Sequence, residues 1–144
     1  MRFMAIVKAT TDSEAGRMPR QEDMAAMGAF ADEMVKAGVL LRGEGLHPSS
    51  IGARVRYSGT SRTVTDGPFT ETKELIGGFW ILECASLAEA VDWMKRSPNP
   101  GPGDTEIEIR RIFDMDDFGA ELTPEIREGV ERRRDTVADR KGGW

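Results

Sequence analysis

Histidine, cysteine and tyrosine each occur once in this 144-residue chain, and each scarcity closes off some chemistry. With Cys84 alone, an intrachain disulfide is excluded, and its place at the end of an apolar run marks it as a packing residue in a reducing, cytoplasmic setting. His47 has no histidine or cysteine nearby in sequence, so the usual ligand set of a zinc site is missing and no metal is expected. A phosphate-loop pattern is absent, and Gly43-Glu44-Gly45 is too short for a dinucleotide fingerprint, so no cofactor is expected. Long hydrophobic runs are lacking too: the N-terminus enters the brief Phe3-Met4-Ala5-Ile6-Val7, too short for a membrane span or a signal peptide. The net charge of -5 leaves no broad basic face for nucleic acid. The one basic cluster, Arg132-Arg133-Arg134, is flanked by Glu131 and Asp135 and is expected to be a solvated helix face.

What is present is a regular alternation of short apolar runs and amphipathic stretches in a chain of single-domain length. Residues 1–8 form an apolar strand that ends at Thr10-Thr11-Asp12-Ser13, read as a loop. Pro19 opens a helix with Glu22 and Asp23 at its positive end; Met24, Met27, Ala31, Met34 and Val35 are its expected inner stripe and Gly38 its stop. A strand over 39–46 follows, weakened by two glycines, and then the loop His47-Pro48-Ser49-Ser50. Alternation over 53–58 and 61–65 around Gly59-Thr60 predicts a β-hairpin. Residues 77–84 are the most apolar strand, Ser86-Leu87-Ala88-Glu89 a capping box, and Leu87, Ala90, Val91 and Met94 the stripe of a second helix. After a proline-rich loop over 97–103, residues 106–110 alternate as a last strand.

Setting the hairpin aside, the order is βαββαβ, a ferredoxin-like α+β fold with an antiparallel sheet and two helices on one face. The other face is then uncovered. Trp80, or its neighbours Phe79 and Ile81, would form an apolar patch there that a second copy could cover. Residues 1–113 make up this domain, and 114–144 a helical extension: an acidic link, then Thr123 as cap and Pro124 as first helical residue, with Gly142-Gly143-Trp144 frayed at the end.

The acids concentrate at the centre, in Thr65-Asp66-Gly67-Pro68-Phe69-Thr70-Glu71-Thr72-Lys73-Glu74. Turn chemistry accounts for part of this: Asp66 suits an Asx-type turn and Gly67 relieves the restriction that Pro68 places on its predecessor. The same residues also suggest a site. Asp66 is a candidate base, with His47 as second proton carrier because an unperturbed imidazole titrates near neutrality. Arg42, Glu44, Phe69, Glu71, Lys73 and Trp80 are candidate binding residues, Arg42 or Lys73 holding an anionic group.

Asp66-Gly67-Pro68-Phe69, together with Ala37-Gly38-Val39-Leu40-Leu41, Gly43-Glu44-Gly45-Leu46-His47-Pro48, Glu71-Thr72-Lys73-Glu74 and Gly77-Gly78-Phe79-Trp80, resembles the DGPF branch of the YCII-related proteins. The resemblance runs from residue 1 to about 113 and implies a homodimer, a dimeric α+β barrel. The YCII relatives proper are thought to use a His-Asp pair whose histidine lies early in the chain; no histidine precedes His47 here, so that pair does not carry over. The branch is also associated with extracytoplasmic-function sigma factors, which implies a signalling setting. Two functions therefore stand side by side. One is a cofactor-free acid/base enzyme acting on a small molecule near the DGPF motif; the other is a non-catalytic ligand-binding or regulatory dimer with a sigma-factor association.

Overall fold

A computed structural model describes residues 1–140, and the expected fraying of Gly142-Gly143-Trp144 lies outside them. The elements are β1 (Arg2–Lys8), α1 (Thr11–Glu14), α2 (Gln21–Lys36), β2 (Leu40–Gly45), β3 (Ala53–Ser58), β4 (Ser61–Asp66), β5 (Ile76–Glu83), α3 (Leu87–Lys95), β6 (Ile107–Arg111) and α4 (Pro124–Arg140), with 3-10 turns over Ser49–Ile51 and Met115–Glu121. Four strands pair in the order β2-β5-β1-β6, and β3-β4 form a separate two-stranded hairpin. Without the hairpin this is the antiparallel sheet of the ferredoxin-like βαββαβ unit.

Alternation sorts the strand residues onto two faces. Phe3 and Ala5 of β1 lie opposite Leu82 and Trp80 of β5, and these turn toward the helices, where Phe30, Met34, Ala90 and Met94 complete a buried core. Met4 and Ile6, opposite Ile81 and Phe79, take the other face and are half-buried. In β2 the register slips between Leu40 and Arg42, so that Leu41 is the extra residue of a bulge. Leu40 and Gly43 thereby stay on the helix side, while Arg42 and Glu44 share the opposite face as an ion pair of 2.9 Å.

Helix α2 stops in a Schellman arrangement: Gly38, at φ 71°, donates its N–H to the Val35 carbonyl, and Val39 donates to that of Met34. Its inner face differs from the expected stripe. Phe30 and Met34 are buried, but Met24 and Val35 are exposed, because the helix meets the sheet over its C-terminal half and the edge of Trp80 packs on Phe30 at 6.0 Å. In α3 the Ser86 hydroxyl accepts the Glu89 N–H, and the Glu89 carboxylate accepts the Ala85 N–H. Leu87, at that capped end, is exposed, while Ala90 and Met94 carry the burial. The segment read as a loop at Thr10-Thr11-Asp12-Ser13 closes into the short α1, whose Thr10 and Ser13 cap each other reciprocally.

Candidate functional site

The hairpin leads directly into the acidic centre. Ala53 lies opposite Asp66, and just past that pair the Gly67 N–H donates to the Gly52 carbonyl at 2.9 Å. From there the chain is pinned to the Ser49–Ile51 turn. The Phe69 N–H donates to the Ser49 hydroxyl (3.1 Å), and that hydroxyl and the Ser49 N–H both donate to the carboxylate of Glu14 at the end of α1 (2.5 and 3.1 Å). Gly67 passes so close to Ser49 that a Cβ there would lie 1.7 Å from the Ser49 carbonyl oxygen. A glycine is thus required at 67 by a backbone neighbour. The Gly67–Pro68 peptide is cis.

Over this turn the Arg54 guanidinium sits 3.9 Å from the centre of the Phe69 ring and pairs with Glu71 at 3.5 Å. The Glu71 carboxyl is held below its ordinary range first by its own backbone N–H, then by the Thr70 side chain and the charge of Arg54. Asp66 itself is exposed, and among the described residues its carboxylate has neither hydrogen bond nor ion pair. The expected Asx-type turn is therefore not formed: Ser49, rather than Asp66, supplies the side-chain bond to the turn. His47 is likewise exposed, at the edge of the same loop.

The remaining candidates divide between the two sheet faces and the turn. Arg42 and Glu44 pair with each other on the face opposite the helices. Trp80 points the other way, its indole filling the space where a Cβ on Gly43 would stand, 2.2 Å from Cδ1. Lys73, in the turn that follows Phe69, lies apart from these and lines a cleft of about 600 Å³ with Lys8, Thr10, Asp12, Thr72, Asp104 and Glu106. Neither Asp66 nor His47 is among the residues that wall it.

A second cleft, of about 550 Å³, shares Thr10, Asp12 and Pro102 with the first and runs along the start of α2, past Arg17, Arg20 and Asp23, beneath the loop Pro98–Gly103. Several of its charges are paired: Arg17 with Asp12 at 2.5 Å, and Arg20 with Asp23 at 2.9 Å. In the first cleft Lys8 is paired to Glu108 at 2.9 Å, whereas Lys73 has no acidic partner among the described residues. Sequence reasoning placed the site at Asp66 and did not single out Thr10, Asp12, Asp104 or Thr105. The proline-rich stretch 97–103, which walls both clefts, was the available signal. Among the described residues, no group of three or more His, Cys, Asp and Glu is placed to hold a metal, and no helix is long and apolar enough to cross a membrane.

Compared with known proteins, residues 1–116 match the model of the YCII-related domain. The chain belongs to the YCII-related family. An uncharacterized relative from Rhizobium meliloti (strain 1021) is 34% identical over 111 residues, which are 75% of this chain and 90% of that protein. Among solved structures, the YCII-related chain is similar to the 5-chloro-2-hydroxyhydroquinone dehydrochlorinase TftG from Burkholderia phenoliruptrix AC1100, in complex with 2,5-dihydroxybenzoquinone. Identity is 19%, with 78% of this chain and 94% of that chain covered and a TM-score of 0.46.

Proposed function

We propose that this YCII-related protein binds a small polar molecule in the paired clefts around Thr10, Asp12 and Pro102, and that it does so as a homodimer. The observation that carries the reading is Lys73: an ammonium without an acidic partner among the described residues, in the wall of a cleft of about 600 Å³, across which Asp104, Glu106, Thr10 and Thr105 supply acceptors and hydroxyls. Small molecules bind in concave sites, and a lining this polar, with Lys8, Asp12, Lys73, Asp104 and Glu106 among threonines, selects a polar ligand. The ligand class that suits it is a compound carrying an acidic oxygen for Lys73 and an amino or hydroxyl group for the carboxylates.

The homodimer is supported by the face of the sheet away from the helices, where Met4, Ile6, Phe79 and Ile81 form an apolar centre bordered by Arg42, Glu44, Glu108 and Arg110. Acid/base catalysis is a second reading of the same cleft, favoured by the carboxylates of Asp104 and Glu106 beside an ammonium. In that reading Asp66 and His47 act only if a partner subunit encloses them.

Titrating the full chain with a panel of amino acids, hydroxy acids and phenolic acids, followed by backbone NMR, tests the proposal. Saturable shifts at Thr10, Thr72, Lys73 and Thr105, lost in Lys73→Ala and kept in Asp66→Asn, are expected. Shifts centred on Asp66 and His47, indifferent to Lys73→Ala, overturn it. Light scattering of Ile81→Asp tests the dimer separately, with a monomer expected.

A further inference from the structure

The Arg132-Arg133-Arg134 cluster of α4 was expected to be a solvated helix face, and all three arginines are exposed; two of them, Arg133 and Arg134, also border a concave surface. One stripe of α4, built from Val130, Arg133, Arg134, Val137 and Ala138 at three- and four-residue spacing, turns toward the start of β1. With Arg2 and Asp135 it walls a cleft of about 460 Å³. That is within the range of about 300–1,000 Å³ typical of small-molecule sites. The apolar members are Val130, Val137 and Ala138; the charged ones are three guanidiniums and a single carboxylate.

Among the described residues, the positive charge here is neutralised only at Arg2. Arg2 is positioned by the Phe113 carbonyl and the Asp114 carboxylate, both at 3.5 Å. Arg133 and Arg134 have no acidic partner among the described residues. Arg133 is drawn over the helix at Gly129, where its Nη1 lies 3.4 Å from the position a Cβ would take. In a chain of net charge -5, unpaired guanidiniums gathered over an apolar floor favour one kind of ligand. The guanidinium fork matches a carboxylate or similar oxyanion in two parallel hydrogen bonds, and the valines match a hydrocarbon tail.

We propose that the cleft between α4 and Arg2 binds a small organic monoanion with a short apolar tail, such as a medium-chain or aryl carboxylate. A polyanion fits poorly, since Asp135 stands in the wall. An anionic membrane surface fits poorly as well, because Glu125, Glu128, Glu131 and Asp139 alternate with the arginines along the same helix. The site is separate from the clefts around Lys73, and neither proposal depends on the other.

The test is an NMR titration of the full chain with octanoate, reading backbone amides and arginine Nε–H signals, with acetate and octanol as matched probes. Saturable shifts at Val130, Arg133, Arg134, Val137 and Arg2 are expected from octanoate, with acetate and octanol each weaker by about tenfold or more. Arg133→Gln/Arg134→Gln should weaken octanoate by about tenfold, from a few-fold per solvent-facing charge. Arg56→Gln, which removes an exposed guanidinium on the β3-β4 hairpin, should change it by less than about twofold. Unchanged amide dispersion over residues 1–113 shows that the variants fold. Several results overturn the proposal: no saturable shift, octanol binding as well as octanoate, or binding indifferent to the double substitution. Shifts of α4 that follow protein concentration instead of octanoate, or sedimentation with phosphatidylglycerol vesicles in the absence of octanoate binding, overturn it as well.

Discussion

Replacing Gly67 by alanine should damage this protein far more than replacing its charged neighbour Asp66. A Cβ at 67 falls 1.7 Å from the Ser49 carbonyl oxygen and 2.6 Å from its carbon, and both atoms are backbone, so neither can swing aside as a side chain would. Relief requires the turn to lift off the Ser49–Ile51 turn. That breaks the bonds from the Gly67 N–H to Gly52 and from the Phe69 N–H to Ser49, each worth about 1 kcal/mol. Lifting the turn also shifts Phe69 from beneath Arg54, a cation–π contact worth about 0.5–1 kcal/mol at an exposed site. The sum is about 2–4 kcal/mol. Asp66→Ala removes a carboxylate with no described partner, and its cost should stay within about 0.5 kcal/mol. Urea unfolding of the two variants decides the matter: with a slope of about 1–3 kcal/mol/M, Gly67→Ala should lower the midpoint by about 1 M or more. Hydrogen exchange at the Phe69 amide should accelerate in Gly67→Ala alone. A Gly67→Ala protein as stable as its parent, or an Asp66→Ala protein less stable than Gly67→Ala, would refute the account of the turn.

Two other glycines should respond in opposite directions to the same substitution. Gly43→Ala drives a methyl into the Trp80 indole and should cost about 1–3 kcal/mol, whereas Gly28→Ala, inside α2 with nothing within 4 Å of the new methyl, should gain about 0.5–1 kcal/mol; thermal melts of both check this. In acid, four carboxyls bear on stability: Glu108 is held below its ordinary value of 4.5 by Lys8, and Asp23, Glu71 and Glu125 are lowered by hydrogen bonds with Arg20, their own backbone or Thr123. Their contribution is present above about pH 4.5 and is lost as the pH falls through the lowered values, so urea midpoints should decline there, and less steeply in Glu108→Gln. In alkali the sign reverses: burial, reinforced by Glu89 and Glu83, pushes the Cys84 thiol above its usual 9.0, so the unfolded chain ionises first. Stability should fall above that pH, and Cys84→Ala should flatten the fall.

The architecture was legible because its signals are periodic. The apolar run of β1, the alternation of β6, the Gly38 stop of α2, the Ser86-Glu89 cap, the Gly59-Thr60 turn and the Thr123-Pro124 start each act within one element, and local physics is enough to read them. What stayed hidden depends on contacts distant in sequence. Nothing near Ser49 announces that it joins Glu14, 35 residues before it, to Phe69, 20 residues after it. The bulge at Leu41, which puts Arg42 and Glu44 on the face opposite Leu40, needs the register with β5 to be seen. The clefts were the least legible for this reason. Acidic residues adjacent in sequence drew attention to Asp66, whereas the clefts are assembled from β1, α1, the turn at Lys73 and the loop over Pro98–Gly103, pieces that fold topology alone brings together.

The β3-β4 hairpin leaves the domain after Gly52 and returns at Gly67, and those two residues are hydrogen-bonded to each other. The domain therefore treats residues 53–66 as a closed loop: every pairing of β2-β5-β1-β6 is made without it, and all twelve of its strand positions are exposed. Closing a loop twice as long costs only about 0.6 kcal/mol more, so this appendage is free to lengthen, shorten or change its surface with little effect on the sheet. It is the part of the molecule where a lineage can try new surface chemistry, or an engineer graft an epitope, while the core and its clefts stay as they are.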